Sequence, residues 1–171
     1  MKDDLRSSPI PPPCSEDHVR GPAGITTVIF YGDFTCPYCA SAYQQLRGIR
    51  IRLAFRHFAL KSRPRAVALA AAAEAAARQG AFWEMHDALF SDPAHTEDPD
   101  LWRHVQQLGL DLDRFQADRR SEVVLERIRR DLQSGLRGGV ASTPTLVLDG
   151  VVYPGPPTGE LLAMLAPMHV R

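Results

Sequence analysis

The distribution of apolar and polar residues along the chain predicts its first strands and helix. An apolar run from Ile25 to Tyr31 predicts a buried strand, and Ile49 to Phe58 alternates apolar with mostly basic residues, which predicts a second strand with one buried face. Between them, Ala40 to Leu46 is typical of a helix that Gly48 would end. A strand, a helix and a strand of this length predict two parallel strands joined by a right-handed crossover.

Helical signals dominate the middle of the chain, from Pro64 to about Arg137. Helix-start residues and glycine stops divide this stretch into several helices. The longest would be capped by Ser121, after which apolar residues recur at every fourth position. We therefore expect a block of helices between two groups of strands.

Strand signals return near the C-terminus. Thr145 to Leu148 predicts a short buried strand, Asp149-Gly150 a two-residue hairpin turn, and Val151 to Tyr153 the return strand, while Thr158 would cap a final helix to about Ala166. This order predicts the α/β class, with a small mixed sheet in βαβ…ββα order and an all-helical insertion. The chain then divides into an extended Pro-rich arm (1–24), a first half of the sheet (25–62), a helical insertion (63–138) and a second half (139–171).

Composition narrows the class of protein without defining its chemistry. The 171 residues are most simply one domain, and 20 basic residues balance 20 acidic ones, so the charge gives no reason to expect nucleic acid or an anionic membrane as a partner. No apolar run approaches the ~18 residues that span a bilayer. The charged, Pro-rich N-terminus lacks the apolar segment of a signal peptide, so we expect a cytoplasmic protein without membrane contact.

Two cysteines, Cys36 and Cys39, stand between the first predicted strand and the helix that follows it. This position places the first sulfur at a helix N-terminus, where free N–H groups and the helix dipole favour the anion that a reactive thiolate requires. Three cysteines in all are too few, and odd in number, for a secreted disulfide scaffold. In a reducing cytosol such a pair is typically catalytic or metal-binding. The pair therefore indicates thiol–disulfide chemistry.

Five motifs follow one another between about residues 25 and 165. They are YGDFTCPYC at 31–39, RHF at 56–58, FWEMHDALF at 82–90, LGLD at 108–111 and GVASTPT at 139–145. In this combination and order they resemble the DsbA-like branch of the thioredoxin superfamily. The resemblance implies a thioredoxin fold with a helical insertion. It also implies a thiol–disulfide oxidoreductase that acts on protein or peptide thiols and disulfides, is recycled by glutathione or a thioredoxin-type protein, and binds no metal or organic cofactor.

The resemblance assigns roles to residues on both sides of the insertion. Cys36 would be the nucleophile that forms a mixed disulfide with the substrate, and Cys39 the thiol that resolves it. Pro144 would be a cis-proline that faces the pair, and Thr143 would offer backbone groups to a substrate peptide. An X–Pro bond suits this place because its cis form costs only ~0.5–1 kcal/mol.

Two features of the first motif affect the details of the chemistry. Pro37 and Tyr38, between the cysteines, form the dipeptide of glutaredoxins, which implies an intermediate redox poise. Phe30 occupies the position, six residues before the nucleophile, where many relatives carry a buried acid. Asp33 is then the nearest acid that could accept the proton of Cys39, and its alternative role is that of a loop or helix-cap aspartate.

Other functions are compatible with the same residues. Cys14 and His18, combined with Cys36 and Cys39, would supply four ligands for a tetrahedral zinc ion. A peptide-binding, chaperone-like protein on the same fold would need no redox chemistry. A glutathione-dependent isomerase is a third alternative, which the second cysteine disfavours because such an enzyme does not need it.

Several further side chains are interpreted as structural. His57, at the end of the second strand, and His86, on the aromatic face of a helix, are expected to be packed or surface histidines rather than catalysts. Cys14 is expected to be an incidental exposed thiol. The apolar residues of the 82–90 helix are expected to belong to the core, with a place beside the substrate groove as the alternative.

Overall fold

The computed structural model describes residues 8–166, in which five strands form one mixed sheet. The strands are His18–Arg20 (β1), Thr27–Gly32 (β2), Arg52–His57 (β3), Thr145–Leu148 (β4) and Val151–Pro154 (β5). Their order in the sheet is β1-β3-β2-β4-β5. Strands β2 and β3 are parallel, as the predicted crossover requires, and all other neighbours are antiparallel.

Seven helices lie within the described residues. They are Pro37–Arg47 (α1), Pro64–Ala77 (α2), Phe82–Ser91 (α3), Asp98–Gln107 (α4), Leu112–Asp118 (α5), Glu122–Arg137 (α6) and Gly159–Leu165 (α7). Ser121 and Thr158 cap α6 and α7 through side-chain oxygens that accept the N–H groups of Val124 and Leu161. Because α2 to α6 follow one another between β3 and β4, the predicted mixed sheet with an all-helical insertion is confirmed. The segment boundaries at 25–62, 63–138 and 139–171 stay a prediction, and residues 167–171 lie outside the described part.

Strand β3 differs from its predicted form. It begins at Arg52 rather than Ile49 because the preceding residues belong to the turn that ends α1, where the Ile49 N–H donates to the Leu46 carbonyl at 3.0 Å. The prediction of a single buried face is wrong, since residues 53–57 are all buried. The strand lies between β1 and β2, and apolar clusters cover both faces of the sheet.

The Pro-rich segment 1–24 contains a strand, β1, that the sequence pattern did not predict. Residues 18–20 pair antiparallel with residues 55–53 of β3. Three residues are too few to give a periodic signal in the sequence. The strand forms because its backbone pairs with β3, and not because of a local preference. The expectation of an arm outside the folded unit is therefore wrong for β1, whereas residues 1–7 of that arm lie outside the described residues.

A buried arginine of β3, Arg56, fixes this N-terminal segment to the sheet. Its Nε and one Nη each donate to a carboxylate oxygen of Asp17 at 2.8 Å. The Arg56 side chain is only 5% exposed and that of Asp17 only 3%. The guanidinium also donates to the carbonyls of Pro11 and Pro12 and to the Tyr31 hydroxyl. Burial would raise the pKa of Asp17, but the hydrogen bonds from Arg56 outweigh it and lower the pKa.

Two apolar layers enclose the sheet. On one face, Phe30 stacks on Phe55 with ring centroids 5.7 Å apart, and both pack beneath α1 and α3. On the other face, Tyr31 packs against Phe58, and its hydroxyl lies 2.8 Å from the Ser134 hydroxyl of α6. Helices on both faces leave the two ends of the sheet as the places where loops meet.

The Arg56 contacts make Asp17 a test of how the N-terminal segment contributes to stability. We expect Asp17→Asn to lower the free energy of unfolding by about 3–5 kcal/mol, because it leaves the buried Arg56 charge without its partner. Urea unfolding followed by circular dichroism at neutral pH measures this difference. Since the pKa of Asp17 is lowered in the folded protein, its contribution is present above the unfolded pKa, and the difference should shrink as the pH falls below about 4.

Asp149→Asn is the matched control for this experiment. Asp149 is exposed in the hairpin turn, and its φ of 50° is a conformation that asparagine tolerates well. We expect its unfolding free energy to stay within about 0.5 kcal/mol of the wild-type value. Equal stability of the wild-type and Asp17→Asn proteins would contradict the role given to the Arg56–Asp17 pair.

Candidate active site

Cys36 is the residue immediately before helix α1, at the end of a short loop that follows β2. Its backbone is extended, with φ −91° and ψ 115°, and its carbonyl accepts the N–H groups of Cys39 and Ala40 at 3.0 and 3.2 Å. Pro37 opens the helix, where its fixed φ and missing N–H cost nothing. The Cys36 side chain therefore lies at a helix N-terminus, as the sequence predicted, where the helix dipole favours a thiolate.

A second segment, from the other side of the insertion, contacts Cys36. The Cys36 Sγ lies 3.4 Å from the carbonyl oxygen of Thr143, and the Thr143–Pro144 peptide bond is cis. The pairing of β2 with β4 explains this contact, because Tyr31 near the end of β2 lies opposite Thr145 at the start of β4. Both strands thus deliver their loops to the same edge of the sheet.

Cys39, in the first turn of α1, lies behind Cys36. It is fully buried, whereas Cys36 is 8% exposed, and both are free thiols. The backbone N–H of Asp33 donates to the Cys39 Sγ at 3.5 Å. Burial raises the pKa of the Cys39 thiol far above its ordinary range, and the Asp33 N–H only partly opposes this effect. The two cysteines are therefore chemically unequal, with one accessible and one held protonated.

Asp33 is buried beside this pair, but its carboxylate serves the loop. One oxygen accepts both the N–H and the hydroxyl of Thr35 at 2.7 Å, which forms an Asx turn before the helix. The other oxygen lies 3.5 Å from the guanidinium of Arg63. Among the described residues, Asp33 contacts Cys39 through its backbone and not through its carboxylate. The predicted proton-accepting role stays a prediction.

An open groove of about 340 Å³ reaches the largely buried Cys36 from solvent. Tyr38, 65% exposed, is one of its lining residues. The lining residues are Asp33, Thr35, Cys36, Pro37, Tyr38, Phe58, Leu60, Arg63, Ala141, Ser142 and Thr143. Sequence reasoning missed Arg63 and Leu60 as groove residues, because the loop between β3 and α2 has no periodic pattern. Phe58 belongs to the RHF motif, which was the available signal for it.

Phe30 and the predicted structural histidines belong to the core. Phe30 lies in the aromatic layer with Phe55 and Phe90, so no acid stands behind the thiols at that position. His57 and His86 are both buried, which confirms that they are packed side chains. Burial lowers the pKa of His86 to about 4, although the neighbouring Asp87 carboxylate favours the charged form. His86 is therefore neutral at physiological pH.

The four ligands of the alternative zinc site do not come together. Cys14 is exposed, Cys36 and Cys39 line or underlie the groove, and the His18 imidazole is hydrogen-bonded to Glu74 instead. Within residues 8–166, the group of metal-capable side chains that does converge contains His18 but none of the cysteines. The tetrahedral cysteine–histidine zinc hypothesis is therefore wrong.

Residues 27–164 match the family described as DSBA-like thioredoxin domain. The chain belongs to this family. The predicted DsbA-like resemblance and the thioredoxin fold are thus confirmed, and the match spans both halves of the sheet and the helical insertion.

Curated relatives of this DSBA-like domain are much longer proteins. One, from Salinispora tropica, is named Na(+)/H(+) antiporter NhaA 3 and is 41% identical over 164 residues, which cover 90% of this chain and 25% of that protein. Another, Na(+)/H(+) antiporter NhaA from Herminiimonas arsenicoxydans, is 40% identical over 141 residues, 78% of this chain and 22% of that protein. The chain spans about a quarter of the length of these relatives. In residues 8–166, no helix combines the length and apolar character needed to cross a membrane.

Solved structures share the fold. A thioredoxin-like oxidoreductase from Silicibacter pomeroyi DSS-3 superimposes with a TM-score of 0.75 at 27% identity, covering 83% of this chain and 85% of that one. The thiol-disulfide exchange protein alpha-DsbA2 from Wolbachia pipientis gives a TM-score of 0.76 at 18% identity, with 86% and 84% covered. The DSBA-like domain therefore has the architecture of known thiol–disulfide oxidoreductases.

The unequal burial of the two thiols predicts unequal alkylation. In a Cys14→Ser background, we expect iodoacetamide to modify Cys36 of the reduced, folded protein at least about tenfold faster than Cys39, because Cys39 is inaccessible and its raised pKa keeps it protonated. Peptide mapping by mass spectrometry measures both rates, and the urea-unfolded protein, in which both thiols should react alike, is the control. Equal rates in the folded protein would contradict the assignment of accessible and buried thiols.

Proposed function

We propose that this protein exchanges disulfides with protein or peptide substrates through a mixed disulfide at Cys36, which Cys39 resolves. The observation that carries the proposal is the position of the Cys36 sulfur. It lies at the N-terminus of α1, 3.4 Å from the Thr143 carbonyl, on the wall of an open groove. A helix N-terminus favours the thiolate, and the groove admits a substrate disulfide to it. Membership of the DSBA-like family supports the same chemistry.

In the reducing direction, the Cys36 thiolate attacks one sulfur of a substrate disulfide. A bond forms between Cys36 and that sulfur, the substrate S–S bond breaks, and the second substrate sulfur leaves as a thiolate that takes up a proton. Cys39 then loses its proton and attacks the Cys36 sulfur, which closes the Cys36–Cys39 disulfide and releases the first substrate sulfur. The pair loses two electrons and the substrate gains them. Oxidation of a substrate dithiol follows the same steps in reverse.

The different burial of the two cysteines supports this order of events. A substrate in the groove meets Cys36 first, because Cys39 is fully buried behind it. Since burial also raises the pKa of Cys39, the resolving step needs a group that accepts its proton. In this proposal the acceptor is Asp33, whose backbone N–H already contacts the Cys39 sulfur and which lines the same groove.

The proposal includes a cellular location and a class of recycling partner. We place the protein in the cytoplasm, where glutathione or a thioredoxin-type protein would recycle the pair according to its reduction potential. The relatives named Na(+)/H(+) antiporters share this module over about a quarter of their length. Within those proteins, we assign thiol–disulfide exchange to the shared quarter.

Serine variants of the cysteines test the proposal directly. We expect Cys36→Ser to lower insulin reduction by dithiothreitol to the uncatalysed background, because the serine hydroxyl is not a nucleophile towards disulfides. Cys39→Ser should instead accumulate a mixed disulfide with a model peptide, visible by mass spectrometry. Cys14→Ser, which changes an exposed thiol outside the groove, is the matched control and should keep full activity. Unchanged activity of Cys36→Ser would overturn the proposal.

The role of Asp33 is tested by Asp33→Asn. Asparagine can still accept the two Thr35 hydrogen bonds, so the turn is kept, while the proton-accepting capacity and the charge pair with the exposed Arg63 are lost. We expect the resolving step, followed as decay of the mixed disulfide after rapid mixing, to slow by at least about 10²-fold, the usual contribution of a general base. The exposed Asp149→Asn is the control. An unchanged rate in Asp33→Asn would show that Asp33 stabilises the turn and does not accept the Cys39 proton.

A further inference from the structure

Three side chains from separate elements meet at one point away from the cysteines. Glu74 of α2 lies between His18 of β1 and His57 at the end of β3, and one of its carboxylate oxygens, Oε1, is 2.7 Å from the Nε2 atom of each histidine. One ligand atom from each residue lies within 4.8 Å of the others. None of these residues contributes to the proposed thiol–disulfide chemistry. Two imidazoles and one carboxylate are a ligand set that first-row divalent metals bind in proteins.

Aromatic rings hold both imidazoles in place. The His18 ring stacks on Phe82 with centroids 3.5 Å apart and an interplanar angle of 9°. The His57 ring contacts the edges or faces of Phe34 and Phe55, with centroids 6.0 and 5.3 Å away. The Nδ1 atom of His57 has no hydrogen-bond partner within residues 8–166, so packing and Nε2 fix this ring. Ligands whose rotamers are fixed by packing need little reorganisation when they bind an ion.

Glu74 is held equally firmly, and yet the cluster can be reached from solvent. Helix α2 is rich in alanine and packs among α3, α5 and α6, which leaves Glu74 almost completely buried. Glu74 and His18 nevertheless line an open cavity of about 580 Å³ between α2, β1 and α6. The His18 side chain is 18% exposed at this cavity. An ion could enter by this path, and water could fill its remaining coordination positions.

We propose that His18, His57 and Glu74 form a three-ligand site for a divalent transition-metal ion of the zinc type. Both Nε2 atoms and Glu74 Oε1 bind the ion, and the open positions face the cavity. Tetrahedral bonds of about 2.0–2.2 Å to zinc place ligand atoms about 3.3–3.6 Å apart. Glu74 Oε1 must therefore move about 0.6–0.9 Å farther from each Nε2 atom than its present distance of 2.7 Å. The site joins the N-terminal segment to β3 and α2.

A cation beside the cluster limits the affinity of this site. The Nε atom of Arg127, on α6, lies 3.8 Å from Glu74 Oε1, and its Nη2 lies 3.6 Å from Asp131. The Arg127 charge opposes a metal ion at Oε1, whereas Asp131, which accepts the backbone N–H of His57, adds a negative charge nearby. If the three side chains bind a metal ion, removal of the Arg127 charge should increase the affinity for that ion. If they form only a hydrogen-bonded cluster, the Arg127 charge has no effect on metal binding.

The test measures metal binding by the full chain without an affinity tag. Cys14, Cys36 and Cys39 are replaced by serine so that no thiolate binds metal. We expect calorimetric titration with zinc to give one ion per chain, and Co²⁺ to give a visible absorption band. His18→Gln and Glu74→Gln should each weaken zinc binding by more than the ~10–100-fold that loss of an outer-shell partner costs. His95→Gln, which changes an exposed histidine outside the cluster, is the matched control and should bind as tightly as its parent.

Two outcomes of this titration would overturn the proposal. One is the absence of stoichiometric binding by the cysteine-free chain, and the other is binding that neither His18→Gln nor Glu74→Gln weakens. Because Glu74 is buried, its variant is assessed by circular dichroism before titration, and the partly exposed His18 provides a milder substitution at the same site.

The Arg127→Gln variant distinguishes a metal site at His18, His57 and Glu74 from a cluster that is only hydrogen-bonded. Removal of the positive charge 3.8 Å from Oε1 should tighten zinc binding by at least about threefold, because like-charge repulsion across a partly buried distance is lost. Unchanged or weaker zinc binding in Arg127→Gln would contradict an ion bound at Glu74 Oε1.

Discussion

The antiparallel pairing of β2 with β4 is the constraint on which the candidate site depends. It aligns Tyr31 with Thr145, although more than a hundred residues of chain and six helices lie between these strands. The loop after β2 presents Cys36, the loop before β4 presents the Thr143 carbonyl, and the register brings the two within contact at one edge of the sheet. A slip of this register by one residue would turn the apolar side chains of β4 to the wrong face, so core packing and site assembly are specified together.

Burial then makes the two cysteines different. Both lie at the start of one helix, but Cys36 opens onto the groove while Cys39 is enclosed by the apolar layer that contains Phe30 and Phe55. A low-dielectric environment penalises the charged form of a thiol, so the same core that stabilises the fold also keeps the second thiol protonated. On strand β2 behind the pair, this chain has the aromatic ring of Phe30, and the polar groups in contact with the two sulfurs are the Asp33 N–H and the Thr143 carbonyl.

Sequence patterns were sufficient for the parts of the structure that are periodic or carry a local signal. The Cys36–Cys39 pair, the helix caps at Ser121 and Thr158, and the return of Thr143-Pro144 before a strand could all be located in advance. Strand β1 could not, because three residues paired to a neighbour leave no periodic trace. The depth of Arg56 was also missed, since alternation with apolar residues predicted solvent exposure and not a buried ion pair with Asp17. The meeting of His18, His57 and Glu74 depends on three elements packing together, which spacing along the chain does not encode.

The two edges of the sheet have a consequence for how substrates can be held. Strand β1 offers only three residues to an approaching chain, and β5 is four residues long and ends on Pro154, which has no N–H to donate. Short edges and proline are features that prevent a sheet from templating the addition of foreign strands. A protein whose proposed substrates are polypeptides with unpaired backbone groups meets such strands repeatedly. The two edges of its sheet therefore disfavour co-aggregation with such strands.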